Sequence, residues 1–164
     1  MAQLGYQGWK RNRTVCTSPN HGGSKPRYNR DTKDHMNAME YVELSGVPES
    51  RWPIFREWFS WYSQRGMVGV AKDGEEIVGV AVARVINGSE EPTHYLHIPD
   101  GDTAFVDLTV TSTDGRSTAR SRRAMQCLLT ILWDRFGPRR SLIFNRNGVQ
   151  KKYDYMKFMQ KALA

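Results

Sequence analysis

The chain has 164 residues, 39% of them hydrophobic and 11% aromatic, which is enough for one domain with a real core and excludes wholesale disorder. No apolar run reaches the roughly 18 residues of a membrane span, and the polar start MAQLGYQGWK lacks the apolar stretch of a signal peptide, so the expectation is a cytoplasmic protein with no membrane partner. The net charge of +7 is unevenly spread: residues 1–37 hold seven Lys/Arg against two Asp (+5), residues 38–115 five against thirteen Asp/Glu (−8), and residues 116–164 twelve against two (+10). A basic C-terminal third argues for an anionic ligand there.

Residues 1–37 carry Gly, Pro, Asn and basic residues without periodicity and read as an irregular basic arm. Tyr6, Trp9 and Tyr28 are interleaved with Lys10, Arg11, Arg13, Lys25, Arg27 and Arg30, a pattern able to stack bases and pair phosphates, or to strap a protein partner. Cys16, His21 and His35 fall short of the four well-spaced ligands of a zinc site, so no metal is expected. Cys16 and Cys127 are too few and too distant in sequence for a disulfide framework, consistent with a reducing compartment.

The regular part begins at Met39. MEYVELSG reads as a short strand, and Pro48, Glu49 and Ser50 lead into a helix whose Trp52, Phe55, Phe59 and Tyr62 recur at helical spacing, ending at Gly66. In MVGVAKDGEEIVGVAVARVI, two β-branched runs flank Asp73-Gly74, a hairpin signal. A polar connection over 87–102 precedes the strand TAFVDLTVTST, closed by Asp114-Gly115. Residues 119–136 follow as a helix with Ala124, Leu128, Ile131 and Leu132 on one stripe and Gly137-Pro138 as its stop. SLIFN is a buried strand, and VQKKYDYMKFMQKAL a final basic helix or a helix followed by a short strand. The order gives an α/β class: a mixed, mostly antiparallel central sheet flanked by helices, with one parallel pair across the 119–136 helix.

A strand that turns tightly into a helix gathers free N–H groups and the positive dipole end at one point, and residues 116–122 fit that description. The backbone amides of Ala119, Arg120 and Ser121, with the side chains of Arg116 and Arg122, are the candidate ligands of an anion.

The element order and three local patterns resemble the GNAT superfamily of acyl-CoA-dependent N-acyltransferases over about residues 38–160. The patterns are the hairpin VGVAKDGEEIVGVAVARVI, the strand, loop and helix AFVDLTVTSTDGRSTARSRRAMQCLL, and NRNGVQKKYDYMKF. The last is similar to the family's N-x-x-A-x-x-x-Y-x-x-x-G-F, with Val149 on the Ala, Tyr153 on the Tyr and Phe158 on the Phe. The resemblance implies a GNAT-like domain over 38–164 that binds acetyl-CoA and acetylates a primary amine, small molecule or protein. It implies that the 116–122 corner holds the coenzyme's diphosphate, that the backbone around Leu108 to Val110 pairs with the pantetheine arm and polarises the thioester, that Asp107, the nearest carboxylate, deprotonates the ammonium, and that Tyr153 is the acid for the departing thiolate.

The loop departs from the family's [RQ]-x-x-G-x-[GA], with Ala119 and Ser121 at the glycine positions; Arg146 replaces the family Asn, Lys157 the Gly, and the C-terminal hairpin is shortened. These departures support an alternative: a catalytically inactive GNAT-fold scaffold whose basic arm and C-terminal third hold nucleic acid or a protein. It resembles the small divergent GNAT-like proteins of tailed bacteriophages, some connected with particle assembly, and would then be virion-associated. No helix-turn-helix or zinc-finger pattern is present to make a sequence-specific DNA reader.

Overall fold

The computed structural model describes residues 14–17, 28–88, 93–146 and 149–164. Its sheet has six strands: β1 (Thr14–Thr17), β2 (Val68–Asp73), β3 (Glu76–Ile86), β4 (Thr103–Val110), β5 (Ser141–Arg146) and β6 (Val149–Asp154). They lie side by side in chain order. Every neighbouring pair is antiparallel except β4 and β5, which run parallel because helix α3 (Ala119–Phe136) carries the chain back between them. The remaining helices are α1 (Tyr28–Ser45), α2 (Phe55–Gln64) and α4 (Tyr155–Ala162).

Two apolar layers hold the helices to opposite faces. On one, Ala38, Met39 and Val42 of α1 and Phe55, Trp58, Phe59 and Tyr62 of α2 pack against Val68, Val70, Val80, Val82, Leu108 and Val110. On the other, Leu129 and Leu132 of α3 meet Val106, Leu142, Phe144, Tyr155 and Met159, while Ala124, Cys127, Leu128 and Ile131 cover Ala71 and Val78. The architecture is therefore α/β, a mixed sheet flanked by helices, and no described helix is long and apolar enough to cross a membrane.

Four sequence expectations are corrected. Residues 39–46 are the end of α1 rather than a strand: Ala38, Met39 and Val42 are buried at helical spacing, and Gly46, at φ 71°, ends the helix. The segment before α1 is not wholly irregular, since β1 pairs with β2 and α1 begins at Tyr28; Tyr6, Trp9, Lys10, Arg11, Arg13, His21, Lys25 and Arg27 lie outside the described residues. The segment from Val149 opens as a strand, with Leu142 opposite Tyr153, and turns helical only after Asp154, whose side chain accepts the Lys157 N–H at 3.0 Å as an N-cap. Finally, the buried Cys127 is disulfide-bonded, and the sequence's other cysteine is Cys16, in β1. Sequence separation hid this because α3 packs across β1.

Candidate active site

The site begins at a register break. Val82 faces Leu108 across β3 and β4, but Ala83 faces Val106, so Asp107 is an extra residue bulged out of the ladder. Such a bulge bends its strand and re-aims the side chain. On its other edge β4 pairs with β5 only through Thr103–Val106 against Ser141–Phe144, whereas β5 continues through Asn145 and Arg146 paired to β6. Beyond Val106 the two parallel strands part, leaving one edge of β4 without a neighbouring strand. A cleft of about 330 Å³ occupies this region, lined by β4 and the loop after it from Leu108 to Ser112, by Gly115 to Ser117, and by Val47, Glu49, Met125 and Asn145.

Asp107 is buried, and its Oδ1 accepts from Arg84 Nη2 at 2.9 Å while Oδ2 has no hydrogen-bond partner. Burial pushes its carboxyl up to about 7; Arg84 opposes that shift and the nearby Glu49 charge adds to it. Arg84 is itself buried on β3, donates to the Leu96 carbonyl at 3.1 Å and to that of Thr93, and lies over the rings of Phe105 and Tyr62. The Tyr62 hydroxyl and Trp58 Nε1 both donate to the His94 carbonyl, at 2.7 and 3.2 Å. The α2 aromatics thus clamp the connection that roofs the Arg84–Asp107 pair. The result is a buried carboxylate that burial raises above the ordinary range, ion-paired through one oxygen and unpartnered at the other, next in sequence to Leu108 of the cleft lining.

At the other end of the cleft, Thr118 caps α3 by accepting the Ser121 N–H at 3.1 Å, and the Ser121 hydroxyl donates to the Thr111 carbonyl at 3.0 Å, fastening the helix start to the end of β4. The Ser121 amide, expected to help hold a diphosphate, here donates within the chain to the Thr118 hydroxyl. The amides of Ala119 and Arg120 have no acceptor among the described residues. The Arg120 side chain turns away to the β2–β3 hairpin, where it meets Glu76 at 2.7 Å and Asp73 at 3.4 Å. Arg116, which lines the cleft, and Arg122 are exposed. The corner still offers two free amides, a dipole end and two cations to an anion.

Leu108 and Val110 bury their side chains among the α1 and α2 residues, leaving their backbone to border the cleft. Tyr153, expected on a helix, lies on β6 with β5 between it and β4; it packs on Phe158 and Phe144 and does not line the cleft. Tyr155 is fully buried, stacked on Trp133, with its hydroxyl unpartnered; burial pushes that hydroxyl well above the usual phenol range. Tyr155→Phe removes an unsatisfied polar group and is expected to leave stability unchanged or raise it by about 1 kcal/mol in a denaturant titration. A clear loss would reveal a partner for the hydroxyl.

Sequence reasoning missed Glu49, Arg84 and Asn145. Glu49 is 5% exposed yet lines the cleft, and Asn145 presents a buried Oδ1 without a partner on the same wall. A signal existed for Arg84: it is the single charge in VGVAVARVI, as Asp107 is in AFVDLTV, and lone opposite charges in neighbouring apolar strands imply a pair. Glu49 carried none, because an acid after Pro48 reads equally well as a helix-start residue. No family model and no curated protein matches the chain.

Proposed function

We propose that the chain is a GNAT-like N-acyltransferase that binds acetyl-CoA in the β4–β5 cleft and transfers the acetyl group to a primary amine. The observation that carries this reading is the parting of β4 from β5 at the Asp107 bulge. It brings an unpaired strand edge and the loop that leads to an anion-suited helix start into one cleft, and the buried Asp107, whose carboxyl burial raises, precedes the lining residue Leu108.

The residues present fit the coenzyme in several respects. The free edge of β4 around Leu108 to Val110 can hydrogen-bond an extended amide-bearing arm, and the unpartnered Asn145 Oδ1 can accept an N–H from it. The amides of Ala119 and Arg120 and the side chains of Arg116 and Arg122 suit a diphosphate. When bound, the coenzyme supplies an activated thioester. The chain's part is to align the carbonyl along β4 and to take the ammonium proton on Asp107, so that the amine lone pair attacks. The C–N bond would form as the C–S bond breaks, and the second proton lost by the attacking nitrogen would go, through water, to the departing thiolate.

Binding is tested by the melting temperature in acetyl-CoA. A ligand specific for the folded state raises it, by about 2.7 kcal/mol of stabilisation at a hundred times Kd. Arg116→Ala is expected to reduce that shift. No shift at millimolar coenzyme would reject the reading.

A second reading, the inactive scaffold, is favoured by the internally capped Ser121 amide and by the distance of Tyr153 from β4. In that case the basic C-terminal third and residues 1–37 serve a nucleic acid or protein partner. Nucleic-acid binding that weakens steeply with salt, in a chain indifferent to acetyl-CoA, would favour it.

A further inference from the structure

We propose that the Cys127 disulfide is a redox latch: oxidised, it holds β1 on the outer edge of β2, and reduced by a dithiol it releases that strand. The device is independent of any acyl transfer. Cys127 is fully buried on α3 and disulfide-bonded, and Cys16 of β1 is the sequence's other cysteine, so the bond joins β1 to α3. The fold brings these two elements together. Cys16 stands opposite Ala71 in the β1–β2 register, and Ala71 belongs with Cys127 to one apolar cluster. α3 itself packs across β1, β2 and β3.

Noncovalent contacts alone give β1 a weak hold. It has four residues, lies at the end of the sheet, and pairs with one strand, from Thr14 opposite Asp73 to Thr17 opposite Val70. So short an end strand opens locally at low cost. The covalent bond changes that balance, because residues 16 and 127 stand 111 positions apart and long loops gain most from a cross-link in the chain-entropy account. On reduction the S–S bond breaks, Cys16 and Cys127 each become a thiol, and the dithiol is oxidised to its own disulfide. Two electrons and two protons thereby pass to the chain. The Cys127 thiol stays among Ala71, Val78, Ala124, Leu128 and Ile131. Apolar surroundings disfavour the thiolate, so re-forming the bond waits on the return of β1. With β1 released, β2 becomes the end strand and presents an unpaired edge.

The test is hydrogen exchange on the full chain, read by mass spectrometry with and without dithiothreitol. Thiol alkylation in denaturant first fixes the redox state, with no adduct on the air-oxidised chain and two after reduction. Reduction is expected to speed exchange of the backbone amides of β1 and β2 at least about tenfold, while β4 and β5 keep their protection. Cys16→Ser should show the fast pattern with or without dithiothreitol, and should lower the melting temperature by about 5–15 °C. Unchanged protection of β1 and β2 in the reduced wild type would overturn the proposal and leave the bond a passive cross-link. So would free thiols or a disulfide-linked dimer in the air-oxidised protein, or a loss of protection spread equally over β4 and β5.

Discussion

Arg84→Met is expected to destabilise the fold by about 3–5 kcal/mol at pH 9 and by much less at pH 5, because it leaves the buried Asp107 without its counter-charge. The direction follows from the titration of Asp107. Its carboxyl is raised to about 7 in the folded chain, above the value of about 3.9 it takes when unfolded. Between those two values the native state binds the extra proton, so the contribution of Asp107 is most favourable below about pH 4 and declines as pH rises through about 7. Removing Arg84 takes away the cation that holds this shift in check. The decline then extends to higher pH, and the penalty grows across the alkaline range. The acid-side residue is the loss of the Arg84 hydrogen bonds to the carbonyls of Thr93 and Leu96, which tie the 93–98 segment to β3. Denaturant titrations from pH 5 to 9 measure the effect. Arg84→Met combined with Asp107→Leu should flatten the pH dependence; a loss equally large at every pH would show that Asp107 never takes up the proton.

On the proposed acyl-transfer reading, Asp107→Asn is expected to lower acetyl transfer by about 10²–10⁴-fold while sparing acetyl-CoA binding, since it removes the proposed base but not the strand edge or the helix start. In the wild type, turnover should rise with pH and level off above about 7, as the carboxylate form accumulates. The variant should lose that limb. A retained acetyl-CoA melting shift distinguishes a chemical defect from an unfolded chain. Turnover unchanged in the variant would remove Asp107 from the reaction and move the search for a base to Glu49, the buried carboxylate that lines the cleft.

Much of the frame was legible from local chemistry. Asp73-Gly74 between two β-branched runs marks a hairpin because Gly74 takes φ 63°, a conformation the turn needs. Residues 119–136 announce a helix by their apolar stripe and by Gly137, which ends it at φ 62°. The cap at Thr118 and the basic loop before it likewise place an anion-suited corner at Arg116 to Arg122. These features depend on neighbours within one turn of chain, so the sequence alone determines them.

The misread segments are short runs whose local preferences are balanced. MEYVELSG has the β-branched and aromatic content of a strand, and only the packing of Ala38, Met39 and Val42 against the sheet makes it helical. VQKKYD becomes a strand because β5 offers it a free edge, which moves Tyr153 away from the position its helical register implied. What only the tertiary structure decided is which distant groups share a volume. The one-residue bulge in the β3–β4 ladder at Asp107 falls where β4 and β5 stop pairing, and that carboxylate meets Arg84, 23 positions earlier, within range of the Glu49 charge. Neither the bulge nor the burial that raises the Asp107 carboxyl is written in any local pattern. Both arise from two strands pairing in a register set by the whole sheet.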